Sequence, residues 1–134
     1  MMHEAMFYEK TDGKNVKCRL CPRNCLIAEG KTGFCGVRKN FDGKLFSLVY
    51  GRPCSIAIDP IEKKPFFHFA PGSHSLSIAT VGCNFRCKFC QNWEISQEWK
   101  EVGGEYVEPE EIIKIAKNNN VDGLSYTYTE PTIF

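Results

Sequence analysis

The sequence predicts an α/β chain in which a small cysteine-rich β module leads into the opening of a parallel α/β sheet or barrel, incomplete within 134 residues. Three observations carry that expectation. The 8 cysteines fall into two spaced groups, with Cys54 standing alone between them. LSIATVG at 76–82 is a continuous small and apolar run, the pattern of a strand buried on both faces. From that run onward the order reads strand, cysteine loop, helix, strand, which is how a parallel α/β sheet begins.

The elements follow in order. MFYEK and NVKC flank Asp12-Gly13, a hairpin signal. A Gly- and Cys-rich loop runs over 19–36. A second Asp-Gly, at Asp42-Gly43, precedes KLFSLVY, read as a strand, and SIAID at 55–59 reads as another. IEKKPFFHFAPGS is a proline-bounded connector in which Asp59, Glu62, Lys63, Lys64 and His68 are expected to face solvent more than a substrate. WEISQEW suits a short helix, broken by Gly103-Gly104. PEEIIKIAKNNN suits a longer one: Pro109 takes a favoured first-turn position, Glu110 and Glu111 complement the positive N-terminal end, and Lys117 the C-terminal end. Asp122-Gly123 then turns into LSYTYT, whose Tyr and Thr content predicts a strand. The expected divisions are a metal-binding β module over 1–50, a connector over 51–74 and the first two strands of the core domain over 75–134. A full eight-unit barrel takes about 250 residues, so an N-terminal fragment of a longer protein is expected.

Composition narrows the function classes. Lys+Arg is 17 and Asp+Glu is 16, a net charge of +1 without basic blocks, which argues against a nucleic-acid partner. No apolar run approaches the roughly 18–20 residues that span a bilayer. The opening, MMHEAMFYEK, lacks a basic segment followed by an apolar one, so a cytoplasmic location is expected. In that compartment thiols stay reduced, and clustered cysteines read as metal ligands or catalysts before disulfides.

VGCNFRCKFCQNW contains Cys83-x3-Cys87-x2-Cys90. Three thiolates on a tight loop can hold three irons of a cubane cluster, whereas a fully liganded [4Fe–4S] needs four. One iron then stays open to an outside ligand. The alternative is a structural zinc loop completed by a further Cys or His. Phe89 precedes the third cysteine, and the loop follows a buried strand, at whose C-terminal edge α/β barrels place their active sites. Cys18, Cys21, Cys25 and Cys35 supply four more thiolates, with Gly30, Gly33 and Gly36 permitting tight turns. That set suits tetrahedral zinc or a complete second [4Fe–4S] cluster, and both remain open. Cys54 reads as a small buried residue.

The pattern C-x3-C-x-aromatic-C after a first strand resembles the radical S-adenosylmethionine (SAM) signature. CRLCPRNC, GFCGVR, DPIEKKPFFHFAPGS, GCNFRCKFCQNWEIS and SYTYTEPTIF together resemble the radical SAM enzyme of the AmmeMemoRadiSam system, a relative of pyruvate formate-lyase activating enzymes. The resemblance implies that this fold class is the start of a radical SAM partial (β/α) barrel. It implies that Cys83, Cys87 and Cys90 hold a [4Fe–4S] cluster whose open iron chelates SAM. Reductive cleavage would then give methionine and a 5′-deoxyadenosyl radical that abstracts hydrogen, with a protein as one candidate substrate. Arg86 and Lys88 add positive charge beside the cluster. By position, Tyr128, Thr129 and Glu130 match the segment that contacts the SAM ammonium, while Gly103-Gly104-Glu105 falls before the helix and is a decoy. Asn92 and Trp93 would pack beside the cluster. Implied partners are a flavodoxin or ferredoxin electron donor and the AmmeMemoRadiSam partner proteins. The alternatives of another class are a non-catalytic zinc or iron–sulfur module and a small electron carrier.

Overall fold

A computed structural model describes residues 2–121 and 123–134. The first part is built from short antiparallel strands: β1 (His3–Glu4), β2 (Tyr8–Lys10), β3 (Val16–Cys18), β4 (Leu26–Ile27), β5 (Arg38–Phe41) and β6 (Lys44–Ser47). They form two three-stranded sheets, ordered β1-β6-β5 and β2-β3-β4. The expected Asp12-Gly13 hairpin is present, with β2 paired to β3 across a 3-10 turn at Asp12–Lys14. Asp42 and Gly43 both take positive φ, 51° and 76°, and close β5 onto β6 as a two-residue turn of the type Asp-Gly favours.

Strand β5 was not expected, because RKNF carries a polar rather than an apolar alternation. Its inward residues are Arg38 and Asn40, both buried. Burial of an amide is tolerated only when its hydrogen bonds are made. Asn40 Nδ2 donates to the carbonyls of Lys14 and Ile27, each at 2.9 Å, and its Oδ1 accepts from the Gly43 N–H at 3.0 Å. One side chain thus ties both sheets together. Around it, Ala5, Val16, Cys18, Ile27 and Leu45 form the core of this part.

The second part is a mixed three-stranded sheet, β7 (Ser55–Pro60), β8 (His74–Ala79) and β9 (Gly123–Tyr126), in the order β7-β8-β9. β8 pairs antiparallel with β7 and parallel with β9. The expected strand–loop–helix–strand order holds, with α1 (Trp93–Ser96) and α2 (Pro109–Asn118) between β8 and β9. Three details differ from expectation. The sheet is not all parallel, since β7 runs against β8. β8 starts two residues earlier than the apolar run, because pairing with β7 reaches back to His74. β9 stops at Tyr126, so Thr127 to Thr129 leave the sheet as a turn. No barrel is formed among the described residues.

The two faces of this sheet differ in kind. Leu76 and Ile78 of β8 pack against Ile112 and Ala116 of α2, together with Val121. Pro109 opens α2, with Glu110 and Glu111 in its first turn and Lys117 in its last. The opposite face carries Ala57 and Asp59 of β7 in register with Ser77 and Ser75 of β8, and Ser125 of β9 in register with Ser77. Ser75 and Ser125 share a 2.6 Å hydrogen bond there. A third core cluster of Cys35, Val37, Val49, Val81 and Ile133 joins the β module to the sheet. No helix among the described residues is long and apolar enough to cross a membrane.

Candidate functional site

The loop after β8 carries Cys83, Cys87 and Cys90 beyond the C-terminal end of that strand. Gly82 makes the junction possible. Its φ is +89°, and a Cβ there would come within 2.7 Å of the Cys35 carbonyl and 2.5 Å of Val37. The backbone of the first cysteine group therefore lies against the root of the second. The contact continues outward: Arg23 Nε donates to the Asn84 carbonyl at 2.6 Å, and Arg86 Nη2 donates to the Phe34 carbonyl at 2.8 Å. Both guanidinium groups cover the Phe34 ring, at 3.4 and 4.3 Å from its centroid. Arg86 also donates to the Cys83 carbonyl at 2.7 Å. Its role in this structure is to shape the loop.

Cys83 is buried, Cys90 half-buried and Cys87 exposed. The Cys83 sulfur accepts the Phe85 N–H at 3.4 Å, and the Cys90 sulfur lies 3.3 Å from Ser96 Oγ on α1. Phe89 projects outward, 87% exposed. Trp93 is half exposed rather than packed away, and Asn92 Nδ2 donates to the Tyr128 carbonyl at 3.0 Å, linking the cysteine loop to the turn after β9.

In the first group, Cys18 and Cys35 are buried while Cys21 and Cys25 are half-buried. The Cys18 N–H donates to the Cys25 carbonyl at 2.9 Å. Gly33 sits beside the Cys25 sulfur, where a Cβ would meet it at 3.7 Å. Burial pushes the Cys35 thiol up, partly offset by the Val37 and Arg38 N–H groups, while the neighbouring Cys18 adds to the rise. All eight cysteines are free thiols. Among the described residues, no three His, Cys, Asp or Glu side chains converge on a common point as an ion would require. The thiol donor sets suit iron or zinc; both groups would have to close around it.

Tyr128, Thr129 and Glu130 stand past the end of β9. Thr129 Oγ1 donates to the Thr80 carbonyl at 2.9 Å, which fastens this turn to the end of β8. Glu130 accepts from the Thr132 N–H at 3.1 Å and from the Thr132 hydroxyl, capping the 3-10 turn Pro131–Ile133. Gly104 packs on the Arg52–Pro53 backbone, ahead of α2 and away from this turn, as its position in the sequence predicts.

The DPIEKKP block departs most from expectation. Asp59 is not solvent-facing: its side chain is 7% exposed, and so is that of Lys64, which it pairs with at 2.7 Å. Lys63 reaches the other carboxylate oxygen at 2.8 Å. The Tyr128 hydroxyl donates to Asp59 as well, and Lys64 Nζ lies 3.5 Å from that hydroxyl. Burial alone would raise the Asp59 carboxyl, but the hydrogen bonds from Lys63, Lys64 and Tyr128 hold it well below the usual carboxylate range. Tyr128 is fixed with φ +67°, a left-handed conformation uncommon for a bulky residue. The charge run in the sequence resembles a solvated face. Only the pairing of β7 with β8 and the turn after β9 bring its partners to one place. Glu62 accepts from the Gly72 N–H at 2.8 Å, and His68 and His74 are exposed.

A strand carrying spaced cysteines at its C-terminal end, followed by a helix and a parallel strand, is the arrangement in which residues 77–134 match the Radical SAM superfamily. That segment starts within β8 and takes in the cysteine loop, both helices and β9. Two curated relatives come from Methanocaldococcus jannaschii. The uncharacterized protein MJ0808 is 54% identical over 134 residues, 99% of this chain and 40% of that protein. The uncharacterized protein MJ0674 is 30% identical over 112 residues, 78% of this chain and 28% of that protein. The chain thus spans well under half the length of either relative. No solved structure gives a significant match. Membership of residues 77–134 in the superfamily implies a [4Fe–4S] cluster and SAM.

Proposed function

We propose that this chain carries the cluster-binding end of a radical SAM enzyme, of the kind found in the AmmeMemoRadiSam system and related to pyruvate formate-lyase activating enzymes. The observation that carries the reading is the C-x3-C-x2-C loop at the C-terminal end of β8, inside the matched segment. In this reading β8, α2 and β9 open a partial (β/α) barrel over 75–134, preceded by a metal-binding module over 1–50 and a connector over 51–74. Cys83, Cys87 and Cys90 hold three irons, leaving the fourth open. When bound, the cluster supplies the electron that splits SAM into methionine and a 5′-deoxyadenosyl radical for hydrogen abstraction.

The chain's own residues position that chemistry. The N–H of Phe85 and the hydroxyl of Ser96 supply hydrogen bonds to two of the sulfurs, which moderates their charge. Glu130 exchanges its Thr132 contact for the SAM ammonium, with Tyr128 and Thr129 shaping the turn. Cys18, Cys21, Cys25 and Cys35 hold a second metal, zinc or [4Fe–4S]. The closeness of Gly82 to the Cys35 carbonyl supports a site beside the first one. A flavodoxin or ferredoxin delivers the electron. The substrate class proposed is a protein, among the partners of that system.

The test is electron paramagnetic resonance of the anaerobically reconstituted, dithionite-reduced chain, with and without SAM. A [4Fe–4S]+ signal altered by SAM and abolished by Cys83→Ala is expected. Zinc-loaded protein with no such signal would replace this reading with a non-catalytic metal module.

A further inference from the structure

The face of the sheet opposite α2 opens into a cleft of about 840 Å3 beside the cysteine loop. Its lining includes Lys63, Lys64, Gln91, Asn92 and Thr127, and no carboxylate lines it among the described residues. Asp59 lies at the foot of this cleft, and its charge is already met. Lys64, 7% exposed, pairs with one oxygen, and the Tyr128 hydroxyl donates to the same oxygen. Lys63 adds a second ammonium to a carboxylate that one cation neutralises, which leaves the group of three with one net positive charge. Lys63 is the mobile member: its side chain is 55% exposed, and an ion pair that open to water holds its lysine weakly. The amide of Asn92 has one N–H engaged with the Tyr128 carbonyl and a second to offer. Cationic and neutral donors thus face a polar cleft without a resident acceptor.

We propose that this cleft binds an oxyanion, the carboxylate or phosphate group of a ligand. Lys63 Nζ is its mobile clasp, the Asn92 amide a second donor, and Lys64–Asp59–Tyr128 its fixed floor. The site goes beyond the reaction proposed above and needs neither iron nor SAM to be tested. Two sources share the chemistry: the carboxylate of SAM itself, or an anionic group on a separate substrate.

The experiment is a titration of the full chain with inorganic phosphate at constant ionic strength, followed by NMR of the side-chain amides. A saturable shift of the Asn92 amide is expected. Lys63→Met should weaken phosphate binding at least fivefold with an unchanged melting temperature, and Lys63→Arg should restore it to within twofold. An Asn92 signal that does not move overturns the proposal, as does a Lys63→Met chain that binds phosphate like the parent. Where phosphate binds, addition of SAM distinguishes the sources: displacement assigns the oxyanion to SAM, and joint occupancy assigns it to a separate ligand. A failed phosphate titration leaves the SAM-dependent resonance test untouched, so the two readings fall independently.

Discussion

Asp59 carries more of this molecule's electrostatics than any other residue, because it is buried and ionised at once. Its folded-state carboxyl lies below the value near 4 expected when unfolded. Stability from this group is therefore complete above that unfolded value and is lost as pH falls toward the folded one. Asp59→Asn should cost about 2–4 kcal/mol at neutral pH, since it strands the buried Lys64 ammonium without its counter-charge. The loss should shrink on acidification, because only the parent chain gives up stability there. Urea unfolding of both proteins at pH 7 and pH 3 checks this, and parallel stability changes would refute it. The sequence shows the residues of this network but not the network. Asp59, Lys63 and Lys64 are adjacent in the chain, whereas Tyr128 arrives from the far end of a different strand.

At the scale of elements, α2 was the most legible. A proline at its first position, two acids after it, a lysine near its end and apolar residues at helical spacing all agree. Its hold on the sheet is Ile112, 7% exposed against Leu76 and Ile78. Ile112→Ala should destabilise the chain by about 2–4 kcal/mol through lost burial and a residual cavity. Ile113 on the outer side is 42% exposed, so Ile113→Ala should cost far less. Similar losses in chemical denaturation would contradict this packing. Strand β5 was illegible for the opposite reason. Its buried positions are Arg38 and Asn40, and polar inward residues are indistinguishable from surface until their hydrogen-bond partners are known.

For the molecule as a whole, the β module and the sheet are held together where Gly82 meets Cys35 and Val37. The φ of +89° and the lack of space for a Cβ both demand glycine. Gly82→Ala should cost about 2–5 kcal/mol, combining backbone strain with forced displacement of Val37. The same change should weaken reconstitution at both cysteine groups, because one contact roots them both. Iron and zinc content measured alongside thermal unfolding tests this. A variant as stable as the parent would mean that the two parts do not depend on this junction.

The sequence by itself determined the local chemistry: where the hairpin turns fall, where α2 begins and ends, and which cysteines share a loop. Those features depend on neighbours a few residues apart, through φ preferences, caps and spacing. It also placed the C-x3-C-x2-C loop after a buried strand, the feature that the superfamily match covers. Only the tertiary structure decided that β7 runs antiparallel beside β8, and that Asn40 ties two sheets. It also decided that Glu130 caps its own turn and that the DPIEKKP charges close over Tyr128 at the edge of a cleft. Each of these joins groups distant in the chain. Their energy lies in burial and in satisfied polar contacts, which exist only after the strands have found their register.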